Sequence, residues 1–198
     1  MKRLPLSSLA WPAVGVLGLA VALASCSSNS KTTTTTDSTA TTAMNAEQKL
    51  ARGKYLVTIT GCNDCHTPGS LYGAPDMSRM LSGSELGWTG PWGTSYAANI
   101  TPDPETGIGN YTEDDIVTAI RTGHKKSGAP ILPPMPWTDF AAFTDEDAYA
   151  VAAYLKSVPA VVHAVPAVLP KGKKAAAALV FPPPPAWDAP KAPPAAAP

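Results

Sequence analysis

Residues 62–66 read Cys-Asn-Asp-Cys-His and place two thiols and an imidazole within one short stretch. Two cysteines separated by two residues, with histidine directly after the second, are typical of covalent c-type haem attachment. Cys62 and Cys65 can each add across one vinyl group of the porphyrin, and His66 can supply the proximal nitrogen ligand of the iron. The alternatives are a redox-active cysteine pair and half of a zinc site. A zinc site needs further ligands, and the one other cysteine in the chain is Cys26.

A six-coordinate haem iron needs a second axial ligand, and Met135 is the best candidate. It lies in a Pro-Pro-Met-Pro run at 133–136, where prolines fix the backbone and remove competing N–H groups. Histidine and methionine together raise the reduction potential and suit electron transfer. Alternatively, Met135 could have only a packing role and not bind the iron. The rival ligands are His124, His163, Met44, Met77 and Met80.

Three helices are expected from capping residues and apolar periodicity. The first carries a capping box, in which Gln48 follows its N-cap by three residues. The second and third each begin with three acidic residues, which suit the positive end of a helix dipole. The N-caps are Asn45, Thr112 and Thr144, and the ends lie near Gly61, Gly123 and Val158.

The stretch 67–111 shows no sustained hydrophobic period and is rich in Gly, Pro, Ser and Asn. It is expected to form a long loop over one side of the haem. A structureless loop of this length is unusual in a compact domain. The haem would supply the apolar surface on which the loop packs. Trp88, Trp92 and Tyr96 are candidates for that contact, although ordinary core packing explains them equally well.

The N-terminal residues 1–25 are expected to be a lipoprotein signal peptide, with a basic start, an apolar run and small residues at its end. The sequence Leu-Ala-Ser-Cys at 23–26 resembles a bacterial lipobox. That resemblance implies cleavage before Cys26 and acylation of its thiol and new amino group. The alternative is a retained transmembrane anchor, because the apolar run is close to the ~20 residues that span a bilayer. Both interpretations place the remaining chain outside the cytoplasm.

Three further regions follow from composition. Residues 26–43 are a Thr/Ser-rich flexible tether, since they offer almost nothing to bury. Residues 44–158 form the folded domain. Residues 159–198 are a Pro/Ala/Lys-rich tail that could act as a semi-rigid spacer, a partner-docking arm, or a strap lying on the domain through Phe181 and Trp187.

The neutral overall charge conceals an acidic domain. Residues 44–158 carry eight basic and thirteen acidic residues. No basic stripe is present, which argues against a nucleic-acid partner. An acidic surface would favour a partner with a basic docking patch, although a generic solvated surface has the same composition.

Three stretches together carry a family resemblance: 61–67, 98–109 and 133–136. They resemble class I cytochrome c, and more narrowly the haem domains of the cytochrome subunit of bacterial membrane-bound alcohol, aldehyde and gluconate dehydrogenases. The similarity covers most of 46–158. It implies an all-α class I fold, with crossing first and last helices and long loops around one covalently bound haem. By the same resemblance Cys62 and Cys65 form the thioethers, His66 and Met135 are the axial ligands, and the 99–101 loop lies against the haem edge.

These observations predict a periplasmic, membrane-tethered monohaem cytochrome c that carries single electrons and is not an enzyme. Its redox partners would be proteins such as a dehydrogenase or a terminal oxidase, and its lipid anchor at Cys26 would attach to the inner or outer membrane. The dehydrogenase subunits carry three such domains, whereas one Cys-x-x-Cys-His occurs here, which favours a free-standing carrier. The alternatives are a haem enzyme or sensor with an open sixth position, near Arg121 or His124, and a thiol–disulfide protein using Cys62 and Cys65.

Overall fold

The computed structural model describes residues 44–183. The predicted signal peptide, the tether with Cys26, and Trp187 lie outside these residues. Within this range no helix has the length and apolar character needed to cross a membrane. Two single-turn 3-10 helices, Ser70–Tyr72 and Met77–Arg79, accompany the main elements. In chain order these are α1 Ala46–Ile59, α2 Cys62–His66, β1 Gly87–Gly90, β2 Gly93–Tyr96, α3 Glu113–Thr122, α4 Trp137–Phe140, α5 Asp145–Ser157 and β3 Ala178–Val180.

The three predicted helices are confirmed as α1, α3 and α5, and their starts are fixed by side-chain caps. The Asn45 side chain accepts a hydrogen bond from the Gln48 backbone at 2.9 Å, and Gln48 accepts one in return at 3.0 Å. Thr112 and Asp115 form the same reciprocal pair at the start of α3. Thr144 caps α5. Each cap satisfies backbone N–H groups that have no partner inside the helix.

Helices α1 and α5 pack tightly against each other, as the resemblance implies. Their closest approach is at Gly53, where an added Cβ would overlap the carbonyl oxygen of Ala150. Glycine therefore lets the two backbones touch at this point. The buried apolar core extends from this contact to α3, and its larger members are Leu56, Val57, Ile116, Val117, Val151 and Leu155.

A small three-stranded sheet supplements the expected all-α fold and replaces part of the predicted loop at 67–111. Strands β1 and β2 form an antiparallel hairpin in which Trp88 pairs with Ser95. Strand β3 pairs with β1 in parallel, and places Leu179 opposite Trp88. The strands are only three or four residues long, which is too short for a readable hydrophobic period.

The segment after α5 lies against the domain, and we call residues 161–181 the strap. Leu169 exchanges two backbone hydrogen bonds with Thr94, at 2.8 and 2.9 Å, before the strap enters β3. At its end the ring of Phe181 lies 6.1 Å from that of Trp88 and 5.6 Å from that of Trp92. Of the three arrangements left open for the tail, the strap with its Phe181 contact is the one observed for these residues.

The close approach of α1 and α5 makes a stability prediction. Replacement Gly53→Ala should destabilise the protein by roughly 1–3 kcal/mol, because the new methyl group forces the helices apart. Helix propensity alone would act in the opposite direction, by about 1 kcal/mol. The free energy of unfolding from chemical denaturation measures the net effect.

The matched control is Ala51→Gly, at an exposed position of the same helix. This substitution measures the effect of helix propensity alone, and it should lower the free energy of unfolding by about 0.5–1 kcal/mol. A Gly53→Ala protein that gains the amount lost by Ala51→Gly would contradict the tight helix crossing.

Candidate haem site

The five-residue helix α2 carries all three residues of the attachment motif. It begins after Gly61, whose φ of +70° is the left-handed conformation that glycine tolerates best. Cys62 and Cys65 are three residues apart, so they project from the same side of the helix. Both are half-buried free thiols, and His66 is only 8 % exposed. The structure thus brings the three predicted residues together at one place beside the core.

The environment of the two thiols keeps them protonated. Burial raises the pKa of Cys62, although a contact of 3.4 Å with the Thr60 hydroxyl opposes this shift. Burial also raises the pKa of Cys65, assisted by the negative charge of Asp64. Redox-active cysteines need the opposite, a lowered pKa that yields thiolate at neutral pH. The site therefore disfavours the thiol–disulfide alternative.

His66 is held in one tautomer by a hydrogen bond to the backbone. Its Nδ1 lies 2.7 Å from the carbonyl oxygen of Ala98, so this nitrogen carries the proton and donates. Burial lowers the pKa of His66, which keeps the ring neutral despite that hydrogen bond. Within residues 44–183, Nε2 has no hydrogen-bond partner and keeps its lone pair. A neutral imidazole with one nitrogen tied to a carbonyl and the other free is the form that binds metals.

The backbone around His66 is fixed by a neighbouring loop. The N–H of Gly83 donates to the His66 carbonyl at 2.7 Å. The N–H of Leu81 donates at 3.0 Å to the hydroxyl of Thr67, which itself donates to Asn63. Leu81 is fully buried and has a φ of +62°, a conformation that a bulky residue adopts only when its surroundings enforce it. The loop therefore holds the histidine rigidly from its backbone side.

The distinctive 98–109 stretch folds on itself. Asp103 accepts hydrogen bonds from the hydroxyl and the backbone N–H of Thr106, which lower its pKa. The Asn99 side-chain carbonyl accepts from the backbone N–H of Thr101 at 2.9 Å. The same asparagine donates at 2.7 Å to the carbonyl of Val161 in the strap. In this stretch Ala98 reaches His66, while Asn99 reaches the strap. A haem-edge contact of the 99–101 loop stays a prediction.

Met135 sits half-buried in a loop that is fixed on both sides. Before it, the hydroxyl of Ser95 donates to the Pro133 carbonyl. After it, the indole of Trp137 lies against Gly123 so closely that a Cβ there would overlap the ring. These contacts agree with a stiff loop, as the flanking prolines predict. The role of the Met135 sulfur as an axial ligand stays a prediction.

The histidine rivals occupy positions that do not suit iron binding. In His163, Nδ1 lies 2.8 Å from the Ser82 carbonyl and Nε2 lies 2.9 Å from the Glu85 carboxylate. Both ring nitrogens are thus engaged. His124 lies in an exposed turn, so it lacks the buried, apolar surroundings that a haem ligand needs.

Among the methionine rivals, Met77 is 62 % exposed. Met80 is partly buried and packs against the apolar core. Met44 is half-buried and precedes α1. Met135 combines partial burial with a loop fixed on both sides.

The donor set fits covalently bound haem. Two protonated thiols are available for thioether bonds, and a neutral imidazole offers an Nε2 that is unbonded within the described part of the chain. Cys62 packs against the buried apolar core, so the attachment points adjoin the apolar surroundings that a porphyrin needs. The functional groups missed from the sequence are the Ala98 carbonyl and the Gly83 N–H. They are backbone atoms, which no side-chain pattern reveals.

Similar proteins share this region. The chain is 42 % identical over 116 residues to the cytochrome c subunit of alcohol dehydrogenase (quinone) from Gluconobacter oxydans (strain 621H), covering 58 % of this chain and 23 % of that protein. It is 40 % identical over 103 residues to the gluconate 2-dehydrogenase cytochrome c subunit from Pantoea cypripedii, covering 52 % and 22 %. The fructose dehydrogenase cytochrome subunit from Gluconobacter japonicus is 35 % identical over 115 residues, covering 58 % and 22 %.

The chain spans less than a quarter of the length of each of these relatives. The family model for cytochrome c matches residues 50–159, which is more than half of the 198 residues. This range includes α2 with its attachment motif, the 98–109 stretch and the Met135 loop. The class I fold expected from the sequence agrees with the mostly helical structure and with the close packing of α1 against α5. The chain therefore belongs to the cytochrome c family.

Proposed function

We propose that this protein is a periplasmic monohaem electron carrier, tethered to a bacterial membrane by a lipid on Cys26, and not an enzyme. The observation that carries the proposal is the geometry of His66, whose Nδ1 is bound to the Ala98 carbonyl and whose Nε2 has no hydrogen-bond partner among residues 44–183. Membership of the cytochrome c family implies covalently bound haem. A single Cys-x-x-Cys-His in the sequence supports one haem.

Four side chains would hold the haem. Cys62 and Cys65 would form the two thioether bonds, and His66 and Met135 would be the axial ligands. A haem bound in this way supplies one-electron chemistry through the ferrous and ferric states of its iron. The protein's own contribution is to keep both ligands in place. The Ala98 carbonyl orients the imidazole, and the fixed loop around Met135 limits the movement of its thioether.

A dehydrogenase is the proposed electron donor, and a terminal oxidase is the proposed acceptor. The relatives named above are cytochrome subunits of dehydrogenases, which supports a donor of that class. The domain has an excess of acidic residues, which suits a partner with a basic patch. Four acids at the starts of α3 and α5 are paired with bases, which offset part of the negative charge there. These pairs are Lys49–Glu113, Arg52–Asp147, Arg121–Asp145 and Lys126–Asp115.

Haem attachment can be tested by removing one thiol. In the Cys65→Ala protein we expect at most one thioether bond, because a single sulfur remains in the motif. Mass spectrometry of the 62–66 peptide and the position of the reduced α band measure the change. The matched control is Cys26→Ala, which removes a cysteine outside the motif and should keep the doubly attached haem. A wild-type peptide without added haem would contradict the proposal.

The second axial ligand can be tested by Met135→Ala. The variant should lose the methionine-to-iron charge-transfer band and bind carbon monoxide rapidly. Its reduction potential should fall by on the order of a tenth of the ~0.8 V range that axial ligands govern. Optical titration and potentiometry measure these changes. Met77→Ala, at an exposed methionine, should leave all of them unaltered. A wild-type protein that already lacks the band and binds carbon monoxide would favour the open sixth position.

The lipid anchor can be tested on the mature N-terminus. We expect a terminal peptide that begins at an acylated Cys26, measured by mass spectrometry of the protein extracted from membranes. The Cys26→Ser variant should accumulate as a precursor that retains residues 1–25, since the acylated residue is missing. A wild-type protein that itself retains residues 1–25 would instead identify a transmembrane anchor.

A further inference from the structure

Two irregular loops hold His66. One bonds to its backbone carbonyl, and the other bonds to its ring Nδ1. The first, residues 81–84, donates the Gly83 N–H to the His66 carbonyl at 2.7 Å. The second, residues 97–101, supplies the Ala98 carbonyl that accepts from Nδ1 at 2.7 Å. The loops are joined by two backbone hydrogen bonds, each of 3.0 Å. Neither loop lies in a helix or a strand, so their positions depend on what packs behind them.

The beginning of the strap packs against both loops. On the 97–101 side, the Val161 carbonyl accepts from the Asn99 amide at 2.7 Å, and the Val161 N–H donates to the Thr101 hydroxyl at 3.1 Å. On the 81–84 side, His163 Nδ1 donates to the Ser82 carbonyl at 2.8 Å. Residues 161–163 therefore connect the two loops through atoms other than those that bond to His66.

The steric fit on the 81–84 side adds to these bonds. A Cβ on Gly83 would overlap the Val165 side chain and the Ala97 carbonyl oxygen. The strap thus fills the space that a side chain on Gly83 would need. Because Gly83 is also the donor to His66, Val165 packs beside a residue that directly contacts the proximal ligand.

The contacts are shielded from water. Ser82 and Thr101 are fully buried, and Asn99 is 2 % exposed. The His163 side chain is 11 % exposed. A buried polar group that loses its partner costs about 1–3 kcal/mol, so the strap is held far more firmly than a surface contact would be. The Nε2 of His163 lies 2.9 Å from the carboxylate of the exposed Glu85.

We propose that residues 161–165 position the proximal imidazole, and that His163 is the main positioning residue. The inference rests on the proposed function, since it concerns how His66 serves as a haem ligand. A hydrogen bond from Nδ1 to a carbonyl raises the basicity of a ligating histidine. A more basic ligand stabilises ferric iron and lowers the reduction potential. His163 fixes the 81–84 loop through Ser82, and two backbone hydrogen bonds pass this restraint to the 97–101 loop that contains Ala98. The strap thereby keeps the His66–Ala98 hydrogen bond short and the potential low.

The test compares three substitutions of His163 in the full, haem-loaded chain. In His163→Asn the side-chain amide stands near the position of Nδ1 and can still donate to the Ser82 carbonyl. In His163→Gln the longer amide reaches toward Glu85 instead, and His163→Ala keeps neither bond. Val162→Ala is the control, because Val162 is 74 % exposed in the same segment. Potentiometry gives the midpoint potential of each protein, and thermal unfolding gives its stability.

We expect the Ala and Gln variants to raise the ferrous-to-ferric ratio at a fixed applied potential by threefold or more. That change corresponds to about 28 mV for a one-electron couple, at 59 mV per tenfold. The Asn variant and the control should remain within this limit. A purely structural role would lower the stability of the Asn and Gln variants alike without separating their potentials. If His163→Ala does not accumulate, the Asn and Gln pair gives the same comparison.

Two results carry different meanings. A wild-type protein without a c-type spectrum or a reversible one-electron couple would overturn the proposed function itself. A wild-type protein with a normal couple, whose Gln and Asn variants have equal potentials, would overturn the positioning role alone.

Discussion

The hydrogen bond between His66 Nδ1 and the Ala98 carbonyl is the interaction on which the site depends. It decides which nitrogen carries the proton, and so which one is free to bind a metal. Burial lowers the pKa of the ring and keeps it neutral, so no second proton competes for Nε2. The acceptor is a backbone oxygen, and its position is therefore a property of the loop and not of one side chain. Much of the surrounding structure can be understood as fixing that loop.

Buried polar contacts stabilise a segment that has little regular structure. Between α2 and α3 the chain forms a hairpin and otherwise runs through loops and single turns. Its buried side chains include Thr67, Ser82, Thr94, Thr101 and Asp103, which are hydrogen-bonded within the domain. Because buried polar groups need partners, this network specifies one arrangement of the loops. The sequence suggested that haem would give this segment an apolar surface to pack on. The network and the strap also contribute.

The parts of the fold that could be predicted are those set by local chemistry. The helix starts were predictable from their N-cap residues, because a cap acts on N–H groups only two or three residues away. These residues are Asn45, Thr112 and Thr144. Cys62, Cys65 and His66 were identifiable because their spacing is itself the chemical requirement. Strand β3 was not predictable, since it pairs with β1 across more than eighty residues of chain and has the composition of a tail. The same limit applies to Ala98 and Gly83, which act through backbone atoms that every residue has.

His163 shows how a residue type can mislead when its partners are unknown. As a histidine in a chain with a haem motif, it was a reasonable rival for the iron. The structure engages both of its nitrogens, with the Ser82 carbonyl and the Glu85 carboxylate. The hydrogen bonds that occupy both nitrogens exclude His163 as an iron ligand. The bond to Ser82 also joins the strap to the 81–84 loop. A histidine near a metal site can bind the metal or fix its surroundings, and its hydrogen bonds, which only the folded chain defines, decide between the two.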